Sequence, residues 1–360
     1  MIRTTFIVFC ISLGFLGSAA TAFAAEWERF VEFRDTVKPG TVPAVLARQG
    51  KIAVLPWTPD EKAQTQGYTE KVYKLLPGLF RMGASQGPIP FYRVDRVSSF
   101  GGHGSLWLGY MNSTVIAHEL THVADAEHKI VRSVQFRRLV EPRIKKLRAV
   151  MAENGYTDPA SGEAAKRTDL IYPSGLPSFY SASTIQETLA EYVRASAMNK
   201  KFTIPPDIKA FLDQRLLRAE PVADPSVALY RQGKAARLSG DHKTAYAKLS
   251  DAIKGDVNFA ESYIERGLTL MALRQNKLAA DDFTRALGLM SEYDWQLYIP
   301  YYKRGLALAT SGQYEKGYED LLAAKRLAPD TPGLAKSIGQ VKSMMDLQNK
   351  FMMDLQNKKK

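Results

Sequence analysis

An α+β domain followed by an all-α repeat solenoid is the fold class that this 360-residue sequence predicts, and three observations carry it. Short apolar runs mix with helical spacing over the first part of the chain. A His-Glu-Leu-Thr-His pentad at 118–122 stands on a helical pattern there. In the last third, small residues recur with a 34-residue period. The length exceeds the usual size of one domain, and 45% hydrophobic and 24% charged residues are ordinary globular values.

The first residues have a different character. Arg3 precedes an apolar run over 6–16, and small residues follow, ending Ala22-Phe23-Ala24-Ala25. A basic start, a short apolar centre and an A-x-A site predict a secretory signal over 1–24, cut after Ala24. The apolar run is too short for a membrane span. A periplasmic or secreted protein is therefore expected. The sole cysteine, Cys10, falls inside the signal, so the mature chain is expected to have neither disulfides nor thiolate metal ligands. The net charge is +12, or +11 once Arg3 is removed, which favours acidic surfaces such as envelope polymers. The basic residues lack the interleaved aromatics of single-strand binders, so no nucleic-acid partner is expected.

Residues 25–220 form the first domain in this reading. The apolar run 52–55, closed by Pro56, reads as a strand, and 61–76 has helical spacing that stops at Pro77-Gly78. Residues 91–97 alternate as a second strand. A glycine-rich turn, with Gly101, Gly102 and Gly104, leads into a third strand at 105–111, expected at a sheet edge where an extended peptide could align. Asn112 or Ser113 caps a helix over 114–129. A second long helix is expected over 131–153, then a polar segment to Pro177, then a helix over 183–198. The stretch 221–225, which begins and ends in proline, marks the domain junction.

Beyond it, Gly233, Ala245 and Ala252 recur as Gly267, Ala279 and Ala286, each shifted by 34 residues. A third unit has Gly305, Ala324 and Pro329, with four residues inserted near 295–301, and Gly317 where alanine is expected. This pattern resembles three tetratricopeptide repeats over 226–259, 260–293 and 298–331. Small residues there let paired helices approach closely. The resemblance implies a surface for a protein partner or substrate. Residues 332–360 are expected to form a capping helix and tail, in which the run 344–350 returns at 352–358.

The pentad is an H-E-x-x-H motif. Residues four apart share a helix face, so His118 and His122 can address one zinc ion. Glu119, about 100° around the helix, is placed to act as general base toward the catalytic water. A catalytic zinc takes a third protein ligand, and two candidates exist. His128 has the outer spacing of the metzincin pattern H-E-x-x-H-x-x-G-x-x-H, with Asp125 in place of the turning glycine. If the helix continues, however, His128 lies about 80° off the His118 direction. The other candidate is Glu187, which shares a helix face with Glu191 one turn on. One carboxylate can ligate while the other accepts a ligand imidazole's N–H, and a cation would relieve the repulsion between them. His103 could flank a cleft but reads as a surface-loop histidine, and His242 has no assigned role.

Together these residues resemble the gluzincin metallopeptidases related to anthrax lethal factor and the secreted Pro-Pro endopeptidases. That group combines H-E-x-x-H with a later E-x-x-x-E helix and a tyrosine seven residues before its first glutamate. Here Tyr180 stands seven before Glu187, and the likeness covers about 112–198. It implies a zincin-like fold for 25–220, zinc ligands His118, His122 and Glu187, and a general base at Glu119. Tyr180 would stabilise the oxyanion or donate a proton, and Glu191 and Asp125 would support ligands. The implied activity is hydrolysis of peptide bonds in a peptide or protein substrate. Two other functions fit the same residues: a scaffold that retains the zinc site without turnover, and a zinc hydrolase acting on something other than peptides.

Overall fold

The computed structural model describes residues 26–37, 52–95, 99–102, 104–198, 201–216 and 225–357, with side chains to 353 in the last helix. The expected signal at 1–24, Cys10, His103, the junction short of Pro225 and the terminal lysines lie outside these residues. The chain forms two compact units. One takes the described residues up to Lys129 together with those from Ala190 to 216; the other takes Ile130–Leu189 and everything from Pro225 onward.

In the first unit, β1 (Val31–Arg34), β2 (Val54–Leu55), β3 (Ile89–Val94), β4 (Phe100–Gly102) and β5 (Ser105–Leu108) form one sheet. β3 pairs in parallel with β1 and β5, β2 joins the end of β3 antiparallel, and β4 joins β5 antiparallel. The strand expected at a sheet edge is therefore internal. The reversal at Gly102 and Gly104, both at positive φ, folds Phe100 back opposite Trp107. β4 is the strand that takes the edge. All four residues of β5 are buried, as a strand covered on both sides requires.

Helix α1 (Pro59–Leu75) starts where Thr58 and Glu61 cap each other reciprocally and proline takes the first turn, the placement that loses no hydrogen bond. α2 (Pro77–Gly83) follows Leu76, and α3 (Ser113–His128) follows a side-chain cap, the Asn112 oxygen accepting the Val115 N–H at 2.8 Å. Ile116, Leu120 and Val123 are fully buried, one apolar stripe at helical spacing. α3 ends at Lys129, in the left-handed conformation. The turn that the metzincin pattern would put at Asp125 comes four residues later. At Gly101 a β-carbon would fall 1.9 Å from the Glu119 carbonyl oxygen, so β4 lies against the α3 backbone and only glycine fits.

In the second unit, α4 (Val134–Glu153) starts at Ser133, whose hydroxyl accepts the Phe136 N–H. The expected polar segment contains short helical turns at Gly162–Ala165 and Thr168–Ile171 and 3-10 turns at Tyr172–Ser174 and Tyr180–Ala182. Helix α5 (Ile185–Met198) begins in this unit and continues into the first, where α6 (Pro206–Arg215) follows.

The repeats are helix pairs: α7 (Pro225–Leu238) with α8 (His242–Gly255), α9 (Ala260–Ala272) with α10 (Asn276–Leu289), and α11 (Tyr298–Thr310) with α12 (Tyr314–Leu327). α13 (Leu334–Asn357) caps the stack, a tetratricopeptide-like solenoid. Each pair closes on a glycine: β-carbons at Gly233, Gly267 and Gly305 would meet Leu249, Phe283 and Leu321 at 3.0 Å or less. Gly317, the departure from alanine, has a cause. A β-carbon there would sit 2.8 Å from the Gly305 carbonyl oxygen. Arg266 and Arg304 each grip an aspartate of the partner helix with two hydrogen bonds, Asp282 and Asp320.

The segment before α4 is anchored on the repeats. Arg132 is buried and reaches Glu261 at 2.8 Å, Asp294 at 2.9 Å and Gln296 at 2.9 Å. Burial works against its charge, but the two carboxylates outweigh that and hold the guanidinium more firmly protonated than usual. Residues 130–189 consequently belong to the same compact unit as the repeats.

Candidate metal centre

On α3, away from Leu120 and the apolar stripe, His118 and Glu119 are half-buried and His122 is buried. Four residues of helix bring the His118 and His122 rings to a 4.9 Å centroid separation, edge to face, with their Nε2 atoms 3.2 Å apart. Two nitrogens bound to one tetrahedral zinc at ordinary bond lengths stand about 3.3 Å apart.

Glu187 stands in the first turn of α5, one turn before Glu191. The Thr184 hydroxyl accepts the Glu187 N–H at 3.1 Å, a helix N-cap, which puts the Glu187 carboxylate in the first turn, where the helix dipole favours an anion. One turn on, Glu191 is buried. It receives the His118 Nδ1–H at 3.1 Å and two hydrogen bonds from Arg194, at 2.7 and 2.5 Å. Burial alone would raise its pKa, but these donors outweigh it and hold the carboxyl at about 2. An anionic Glu191 fixes the proton of His118 on Nδ1, so Nε2 keeps its lone pair toward His122.

A cleft of about 370 Å³ opens beside these residues, lined by Asn112, Thr114, Val115, His118, Glu119, Glu191 and Arg194. Glu119 thus faces the same cleft as His118, the position that a general base needs. A pair of imidazoles beside an open cleft suits a catalytic zinc. It lacks the thiolates of most closed structural sites.

The other sequence candidates fall elsewhere. His128 ends α3 with its Nε2 3.1 Å from the Met82 carbonyl oxygen. Asp125 is buried one turn beyond His122, and its main-chain oxygen accepts the Lys129 N–H. Tyr180 stands on a 3-10 turn with its side chain exposed. Arg194 was not singled out by sequence. The signal was there, a Glu-x-x-Arg pair at helical spacing, but such pairs are common on solvated faces. Its significance comes from the burial of Glu191.

The chain matches no known protein-family model and no curated protein. Solved structures resemble part of it. The first tetratricopeptide domain of Spaghetti (RPAP3) bound to an HSP90 peptide is 17% identical over 35% of this chain and 97% of that one, with a TM-score of 0.32. The Arabidopsis OM64 tetratricopeptide domain is 22% identical over 33% of this chain and 95% of its own, with a TM-score of 0.31. MamA is 24% identical over 35% and 71%, with a TM-score of 0.32.

Proposed function

We propose that the chain is an exported zinc-dependent peptidase with a zincin-like catalytic domain, its zinc held by His118, His122 and Glu187. The observation that carries this reading is the pair of imidazole Nε2 atoms of His118 and His122 3.2 Å apart, with Glu191 behind His118 and Glu119 lining the cleft beside them. When bound, zinc supplies an acidified water and a Lewis acid for a carbonyl oxygen. The chain's own residues do the rest. Glu119 takes the proton from the attacking water and can return it to the leaving amine. Glu191, gripped by Arg194, keeps His118 in the tautomer that offers Nε2 to the site. The cleft beside them accommodates an extended segment of substrate, and the repeats offer a surface for a protein partner or for the remainder of that substrate.

The test is Glu119→Gln. It should keep one zinc per chain by metal analysis while peptide hydrolysis falls by about 10²- to 10⁴-fold. Full cleavage by this variant, or a wild-type chain that holds no zinc, would overturn the reading. The repeats favour a second function, a zinc-holding scaffold without turnover, because a stack of helix pairs offers an extended binding surface. Stoichiometric zinc together with no hydrolysis by the wild-type chain would establish that alternative.

A further inference from the structure

The linker between the second and third repeats is longer than the one before it. Residues 290–297 separate α10 from α11, where 256–259 suffice between α8 and α9. The extra length is used within the same compact unit. The Tyr293 carbonyl oxygen accepts the Ile185 N–H at 3.0 Å, and Ile185 is the first residue of α5. The Tyr293 ring lies under the Arg148 guanidinium, whose central carbon is 4.7 Å from the ring centroid. From α4, Arg148 donates to the Ala182 carbonyl at 2.7 Å and to the Ser183 carbonyl at 2.6 Å.

These contacts enclose the entry to the helix that carries Glu187. The first N–H groups of a helix have no partner within it. Here Tyr293 satisfies Ile185 from outside and Thr184 satisfies Glu187, while Arg148 fixes the two carbonyls just upstream. Thr188 ties the first turn back through its hydroxyl, which donates to the Ser181 carbonyl at 2.6 Å. A ligand side chain must be held within about 0.5 Å of its working position, and a carboxylate three residues into a helix moves with any fraying of that end. Resting on the ligand set proposed above, we infer that Arg148 and Tyr293 are positioning residues for the Glu187 carboxylate, with the inserted loop of the repeats serving as its outer support.

The inference makes part of the repeat array a support of the helix start that carries Glu187. It is tested by zinc affinity in the full chain, measured by competition with a chromophoric chelator. Glu187→Ala should weaken zinc binding, and Arg148→Met should weaken it by about ten-fold, the lower end for loss of a residue that supports a metal ligand. In the Glu187→Ala background, Arg148→Met should cost nothing further, because its effect runs through the carboxylate already removed. Arg148→Lys, which keeps the charge and one donor, should recover part of the affinity. If Arg148→Met does not fold, Tyr293→Leu, which removes the ring under the guanidinium, takes its place in the same cycle.

Wild-type affinity in Arg148→Met, with Glu187→Ala still weakened, would overturn the positioning role and leave the ligand set intact. A further loss in the double variant would also overturn it, since Arg148 would then act through general stability. No zinc in the wild-type chain, or no effect of Glu187→Ala, would instead overturn the ligand assignment beneath it.

Discussion

Glu191 shows how much of the proposed metal centre depends on a residue outside the ligand set. It is buried, doubly bonded by Arg194 and bonded by His118. Replacing it with glutamine removes the charge that orients the imidazole, and zinc affinity should fall by about 10- to 100-fold in a chelator competition. The same carboxyl ties stability to pH. Its pKa in the folded chain, about 2, lies below its ordinary value of 4.5. Its contribution is therefore complete above about 4.5 and is lost as pH falls toward 2. In metal-free protein, Glu191→Gln should flatten the loss of urea stability across that window; an unchanged slope would show that the carboxyl is not held so low. The pentad was legible because its spacing is local to one helix. Arg194 and Gly101 were not, because their importance lies in what they meet across the fold: a buried carboxylate and the Glu119 carbonyl.

Helices read more reliably than strands here. α3 could be bounded from Asn112, whose side chain caps it, whereas the place of β5 within its sheet could not be read from its own alternation. Edge and interior are decided by neighbours, and β4 is the neighbour that took the edge. The repeats show the converse, a local pattern with a local consequence. Their helix turns place Gly240, Arg274 and Gly312 at φ of 86°, 59° and 83°. Arginine in that conformation carries a strain of about 1 kcal/mol that glycine avoids. Arg274→Gly should therefore raise the stability of the chain by about 1 kcal/mol in urea unfolding. A decrease would mean that the arginine side chain contributes more than the strain removes.

At the scale of the molecule, the unit that contains the repeats is held on a buried charge. Arg132→Met would leave Glu261 and Asp294 buried without their cation, and should cost about 3–5 kcal/mol of stability. A loss under 1 kcal/mol by denaturant unfolding would show that water replaces the guanidinium. Sequence alone determined the repeat period, the glycines at close helix contacts and the residue types able to bind a metal, because each follows from spacing along one helix or one helix pair. The tertiary structure decided that residues 130–189 pack with the repeats, that the inserted linker reaches the start of α5, and that Glu191 backs His118 while His128 turns to Met82. Those outcomes depend on partners far apart in the chain. Burial, ion pairing and hydrogen-bond satisfaction choose among such partners, and residue spacing carries no record of that choice.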